Sequence, residues 1–284
     1  MGNILIAARN RADAGVLSAG SWVATLPLAN LQDRQPTRLA RSTDTALAST
    51  RFDLDLGAPR TISLLALLRH NLTQGGRWRL RLSDAADFAA ALLDTGWRDI
   101  WPEITPFGQD LWGEFIWGGK LDPDEARTYG ISAYHVLTTP LFARHLRLEL
   151  DDQDNPDGYL QAGRLIAAPA WQPSRNLAYG WELRHVDESR TIRSRGGQLY
   201  VDPLPLRRRL SFTLDHLGAD EMLGRAHELD REKGIAGDVL AIVDAGQPRH
   251  LHRLAIYGAL GETTPMANPS FERYSKRFVI EELV

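Results

Sequence analysis

Three stretches decide the fold: Arg51-Phe-Asp-Leu-Asp-Leu-Gly57, Ile62-Ser-Leu-Leu-Ala-Leu-Leu-Arg-His-Asn71 and Trp78-Arg-Leu-Arg-Leu-Ser83. In the first, Phe52, Leu54 and Leu56 alternate with polar residues. In the third, Trp78, Leu80 and Leu82 do the same. A period of two sends one face of a strand to a core and the other to water. The middle stretch is apolar on both faces, as a central strand covered on both sides requires. Farther on, Arg144-His-Leu-Arg-Leu-Glu-Leu150 alternates again, and Gly163-Arg-Leu-Ile-Ala-Ala168 reads as a closing strand. The expectation is a mostly β protein. Residues 1–172 form a jelly-roll β-sandwich, with Phe52, Leu54, Leu56, Leu65, Leu67, Trp78, Leu80, Leu146 and Leu148 in its core.

Asp84 to Leu93 has helical spacing, with Ala85, Phe88 and Leu92 three and four apart. Residues 94–135 differ from the rest of this half. They carry Trp97, Trp101, Trp112 and Trp117 together with Phe107, Phe115, Tyr129 and Tyr134, punctuated by Gly and Pro. This is the composition of a long insertion between strands, and such insertions are more often functional than decorative. Pro169-Ala-Trp-Gln-Pro-Ser174 has linker composition, which puts a domain boundary near residue 172.

Residues 173–284 form a second, β-rich domain. Candidate strands are Tyr179 to Val186, Thr191 to Ser194, Gln198 to Val201, Arg208 to Leu214, Asp238 to Val243, Leu251 to Tyr257 and Phe278 to Leu283. One helix stands out, Ala219 to Lys233. Met222, Leu223, Ala226 and Leu229 form its apolar stripe, Asp220 and Glu221 suit its first turn, and Gly234 suits its end. The edges of these strands offer pairing surfaces to further copies of the chain, so the second domain is expected to make contacts between copies.

Composition removes several classes of function. The chain has 284 residues and a formal net charge of −3, so nothing draws it globally to nucleic acid or to an anionic membrane. The longest apolar stretch, around Ile62 to Leu68, is far too short to span a bilayer. The opening Met1-Gly-Asn-Ile-Leu-Ile lacks the pattern of a signal peptide. With no cysteine there are no disulfides, thiolate metal sites or cysteine nucleophiles. Thirty of the 33 basic residues are arginine, a bias that a GC-rich coding sequence explains without a phosphate ligand.

Motifs for chemistry are sparse. Asp151-Asp-Gln-Asp-Asn-Pro-Asp-Gly158 concentrates carboxylates, but Pro156 breaks the calcium-loop pattern, and Asp, Asn and Gly are turn formers. His250 and His252 would share one face of a strand, and two ligands make no metal site. His70 reads as a hydrogen-bonded core or rim histidine. Asp99, Glu103, Asp110 and Glu114 lie among the tryptophans, yet their separation, which glycoside hydrolysis depends on, is not readable. No nucleophile-elbow, phosphate-loop or dinucleotide pattern occurs. The chain is therefore read as no enzyme, with no catalytic, cofactor or metal residues. Its candidate interaction residues are Trp97, Trp101, Trp112, Phe115 and Trp117. Indoles serve protein interfaces, sugar stacking and self-packing alike, and all three uses stay open.

Two resemblances follow from these segments. Leu39-Ala-Arg-Ser42, Phe52-Asp-Leu-Asp-Leu-Gly57, Arg79-Leu-Arg-Leu-Ser83 and Arg144-His-Leu-Arg-Leu-Glu-Leu150 make the first half resemble discoidin-like, galactose-binding-type β-sandwiches. Leu210-Ser-Phe-Thr-Leu214, the helix, Ile256-Tyr-Gly258 and Phe278-Val-Ile-Glu-Glu-Leu283 make the second half resemble tail-tip proteins of long-tailed, non-contractile bacteriophages. The second resemblance implies a distal-tail or baseplate protein on the virion tail tip, assembled in the host cytoplasm. It implies a homo-oligomeric ring that joins tail tube, hub and fibres, with no cofactor, nucleic acid or membrane insertion. The alternatives are a module that binds a host surface glycan or receptor and, behind it, a cell-wall glycan hydrolase.

Overall fold

The computed structural model describes residues 2–104, 119–120 and 131–284. In chain order the strands are β1 (Leu5–Ala7), β2 (Val16–Ser18), β3 (Ala40–Arg41), β4 (Phe52–Leu68), β5 (Arg77–Ser83), β6 (Leu93–Asp94), β7 (Arg98–Asp99), β8 (Ala133–Asp151), β9 (Gln161–Ala162) and β10 (Arg164–Ala168). Then come β11 (Glu182–Val186), β12 (Arg190–Arg193), β13 (Leu199–Asp202), β14 (Arg207–Leu217), β15 (Asp238–Ile242), β16 (Ala255–Leu260), β17 (Met266–Ser270) and β18 (Arg273–Glu282). The chain divides into two compact units. The first is Arg9–Ala170 with Ala245–Leu254; the second is Met1–Ala8, Trp171–Asp244 and Ala255–Val284. The chain passes from the first unit to the second between Ala170 and Trp171. Two short segments belong to the other unit: β1 pairs with β15, and residues 245–254 join the first unit.

The first unit is a jelly-roll β-sandwich built on two long strands. β4 runs unbroken from Phe52 to Leu68, where alternation and the apolar run suggested two separate strands. Its early half pairs with β2 and with the end of β8, which in turn pairs with β5. Its late half lies between β10 and the start of β8. The register shifts between Asp55 and Arg60 and again between Ile62 and Leu64. Bulges bend a strand without ending it, which lets one strand serve both layers. Gly57, at φ +74°, supplies a backbone that side chains rarely adopt, and Pro59 has no N–H to lose.

One core fills the space between the layers. Phe52, Leu54, Leu56, Trp78, Leu80, Leu146 and Leu148 come from one layer, and Leu65, Leu67, Leu165 and Ala167 from the other; all are buried. The polar face carries cross-strand ion pairs: Arg147 holds Asp53 at 2.7 Å and Arg144 holds Asp55 at 2.8 Å, each through two hydrogen bonds. Arg144 and the Gly57 N–H keep the Asp55 carboxyl well below the usual carboxylate range. Asp84 to Leu92 is not helical. Phe88 sits at φ +55°, which a helix excludes, and its buried ring packs edge-on to His145.

The second unit is a mixed-length antiparallel sheet in the order β1-β15-β16-β18-β14-β11, with β17 on β18. Leu210, Phe212 and Leu214 face inward with Phe278 and Ile280, and the rings of Phe212 and Phe278 stack at 5.3 Å. The helix occupies the expected residues, as α-helix Ala219–Glu221, a π-helical stretch Met222–His227 and α-helix Glu228–Lys233. Gly234 ends it at φ +49° and donates to the Asp230 carbonyl. Met222, Ala226 and Leu229 are buried, but Leu223 is 48 % exposed. It lies a quarter-turn from Met222, off the stripe that the other three form. Lys276 is buried beneath this helix, where its ammonium reaches Asp230 at 2.6 Å and the Thr264 carbonyl at 2.7 Å.

Candidate functional site

The aromatic insertion divides into residues with different fates. Trp101 is 6 % exposed, belongs to the first unit's core and donates its indole N–H to the Leu72 carbonyl at 2.8 Å. That is self-packing, so Trp101 presents no contact surface. Trp97 stays 37 % exposed, with the Arg77 guanidinium 5.8 Å from its ring centre. Trp112, Phe115 and Trp117 lie outside the described residues, as do Phe107, Asp110, Glu114 and Tyr129.

The acidic loop is a braced turn. Asp152 accepts hydrogen bonds from the Thr73 N–H (2.7 Å), the Thr73 hydroxyl (2.8 Å) and the Asn155 amide (2.8 Å). Asp157 accepts from Asn71, and Asp151 pairs with Arg77. These carboxylates tie the loop to the 71–77 segment. His250 and His252 do not lie on a strand. Residues Pro248–His250 form a 3-10 turn, and Leu251–Leu254 a short helix. His70 is buried as expected. However, neither of its ring nitrogens has a hydrogen-bond partner among the described residues, and burial pushes its pKa down to about 3.

A cleft of about 190 Å³ opens in the first unit, with Trp78, Arg98, Asp99, Tyr134, His135 and His252 among its lining residues. Short pairing of β5 with β7 sets Arg98 and Asp99 at its rim. Lys120 holds Asp99 at 3.0 Å. Burial, and then the charge of Arg98, lower the pKa of His135, which keeps that imidazole neutral near pH 7. The cleft thus combines a phenol ring with several polar side chains.

The second unit carries a different kind of surface. Between β11 and β14 the chain runs out as a two-stranded arm, β12 paired with β13 from Arg190 opposite Asp202 to Arg193 opposite Leu199. Its tip closes through the Ser194 N–H to the Gln198 carbonyl at 2.9 Å, with Gly197 at φ +84°. Its base is braced by the Leu204 N–H on the Ser189 hydroxyl and by Arg207 on Glu188. Every residue of both strands is exposed. Ile192 is 69 % exposed, Tyr200 57 %, Val201 51 % and Leu199 48 %. Directly opposite residues share a face. Ile192 and Tyr200 therefore sit on one face, and Val201 and Leu199 on the other. Neither face packs on a core. An isolated two-stranded ribbon is marginal in water, and bulky apolar groups left on both sides mark a surface that something covers.

No protein-family model matches the chain, and no curated protein matches it either. Solved structures do. The family 32 carbohydrate-binding module of Clostridium perfringens NanJ, in complex with galactose, is 11 % identical, with a TM-score of 0.39 over 58 % of this chain and 99 % of that one. The module CBM32-1 from a family 31 glycoside hydrolase of Clostridium perfringens is 14 % identical, with a TM-score of 0.36 over 57 % and 98 %. The lectin domain of lectinolysin, complexed with Lewis B antigen, is 12 % identical, with a TM-score of 0.35 over 56 % and 95 %. These neighbours are galactose-binding-like β-sandwich modules. At such scores they assign no ligand and no role to this chain.

The strands of the arm were legible in the sequence, but their exposure was not. The available signal was weak: bulky apolar residues at consecutive positions, Leu199-Tyr-Val201, bounded by Gly196-Gly197 and by Pro203 and Pro205.

Proposed function

We propose that the chain is a structural protein of the tail tip of a long-tailed, non-contractile bacteriophage, held to further copies of itself and to other tail proteins through the arm of its second unit. The observation that supports this is the arm itself, apolar on both faces and covered on neither. Its four large apolar side chains are about half to two-thirds exposed. Covering them would contribute roughly 3–6 kcal/mol, taking about 1.5–3 kcal/mol for full burial of each. That corresponds to roughly a hundred- to ten-thousand-fold in an association constant. In this role the chain sits at the virion tail tip after assembly in the host cytoplasm, and it performs no catalysis.

The test is sedimentation of the full chain beside a variant in which residues 190–202 are replaced by a short Gly-Ser turn. The intact chain should form a discrete oligomer and the variant should stay folded as a monomer. Gold-labelled antibody should mark the distal end of the tail. A chain that remains monomeric at high concentration, in particles labelled elsewhere or not at all, overturns the proposal.

A second function is favoured by the cleft at Trp78, Tyr134 and His135: binding of a host surface glycan by the first unit. A ring face with polar neighbours suits a sugar, because one side of a pyranose is apolar and its hydroxyls need partners. Galactose titration of the intact protein separates the two. A monomer with sugar affinity that Tyr134→Ala removes supports this alternative.

A further inference from the structure

On the face of the second unit's sheet opposite Leu210, Phe212 and Leu214, β11, β14 and β18 enclose a cleft of about 130 Å³ lined by Glu182, Arg184, Arg209, Ser211 and Arg277. Arg184 stands directly opposite Arg209 in the antiparallel ladder. Like charges so placed destabilise a strand pair. The third cation, Arg277, spends its guanidinium on the Ser211 hydroxyl, at 2.9 and 3.2 Å, which neutralises nothing. Arg209 has a carboxylate neighbour, Glu281, only at 3.5 Å, and the Arg184 side chain makes no ion pair or hydrogen bond among the described residues. Glu182 is the one acid in the lining and Glu281 stands beside it, so three positive charges meet two negative ones and the cleft keeps a positive excess.

We infer that this cleft binds an oxyanion, a carboxylate or a phosphate, held between Arg184, Arg209 and Arg277. Each guanidinium offers a planar fork of donors that matches the two oxygens of such a group. An anion seated there would also relieve the repulsion between Arg184 and Arg209. The volume of about 130 Å³ admits a group of that size. The site is separate from the arm and stands whether or not the tail-tip assignment holds. Its ligand has two sources of one chemistry: a free inorganic anion, or an Asp or Glu side chain offered by a partner protein.

The experiment is calorimetric titration of the full chain at constant ionic strength, first with inorganic phosphate and then with a hexaglutamate peptide, each against a chloride control. The variants are Arg184→Gln, Arg209→Gln and Arg277→Gln, checked for unchanged melting, with Arg184→Lys retaining charge without the fork. Losing a charge-assisted hydrogen bond, about 1.5–3 kcal/mol, weakens binding by at least about tenfold. Phosphate binding lost in the Gln variants identifies a free anion. Peptide binding alone, lost in the same variants, identifies a protein carboxylate. Heats no larger than those of chloride for both probes, or variants that bind as the intact protein does, overturn the inference.

Discussion

The ammonium of Lys276 sets up a quantitative test of how the second unit holds together. Lys276 is 2 % exposed, and the side chain of Asp230 15 %. The pair is closed by a 2.6 Å hydrogen bond and seconded by the Thr264 carbonyl at 2.7 Å. Removing one partner of a buried pair strands the other, at a cost of about 3–5 kcal/mol. Asp230→Ala leaves the more deeply buried group unpaired, because one carbonyl cannot neutralise it. At about 4 °C per kcal/mol for a unit of this size, melting should fall by roughly 12–20 °C. Lys276→Met leaves only a carboxylate near the surface, which water can reach, so it should cost less. The double variant Lys276→Met with Asp230→Leu should recover most of the loss, since a well-packed apolar pair replaces an ionic one without penalty. Circular dichroism and the fluorescence of Trp171 and Trp181 would follow the melt. Asp230→Ala melting within about 2 °C of the parent would refute the reasoning, because the ammonium would then be solvated in a way its burial denies.

The tryptophans of the insertion should separate sharply. Trp101→Phe removes the donor to the Leu72 carbonyl and should cost about 1–3 kcal/mol, while Trp97→Ala should stay within about 0.5 kcal/mol; equal losses in urea unfolding would contradict their assigned places. His70 predicts a pH dependence. Its folded pKa is pushed down to about 3 by burial, from an ordinary 6.5. Between those values the unfolded chain holds a proton that the folded one lacks. Its contribution is therefore complete above about pH 6.5 and declines as pH falls, by up to about 1.4 kcal/mol per pH unit. Urea midpoints between about pH 6.5 and 5 should show this slope in the parent and a shallower one in His70→Leu; identical slopes would exclude it.

Much of the first unit was legible because alternation is a local signal. Phe52, Leu54, Leu56, Trp78, Leu80, Leu146 and Leu148 all go where period two sends them. The helix was legible for the same reason, from residues three and four apart with acids at its start. Local signals failed where geometry depends on distant segments. Gly57-Ala-Pro59 looks like a terminator, but β8 carries the strand through it as a bulge. Phe88 matches a helical stripe, yet it turns into a left-handed backbone to reach His145. β1 finds its partner about 235 residues downstream, a pairing no window of sequence contains. The arm failed in another way. Its residues were recognised as strands, but a strand pattern does not say whether a core lies beside it. Of the candidate tryptophans, Trp97 is exposed and Trp101 buried, although the two carry the same signal in the sequence.

The exchanged segments have a consequence for how the chain comes apart. A protease that nicked the backbone between Ala170 and Trp171 would sever the two units in sequence without freeing either one. Leu5–Ala7 would leave with the first fragment while still bonded to Leu240–Ile242 of the second. Residues 245–254, packed with the first unit, would remain attached to the second fragment on both sides. The two pieces are interlaced at two places, so they should travel together through a sizing column and part only in denaturant. For the same reason, a gene cut at residue 172 yields a second half that lacks a strand of its own sheet. The peptide carrying Ile4 to Ala7, added back, is the piece that would complete it.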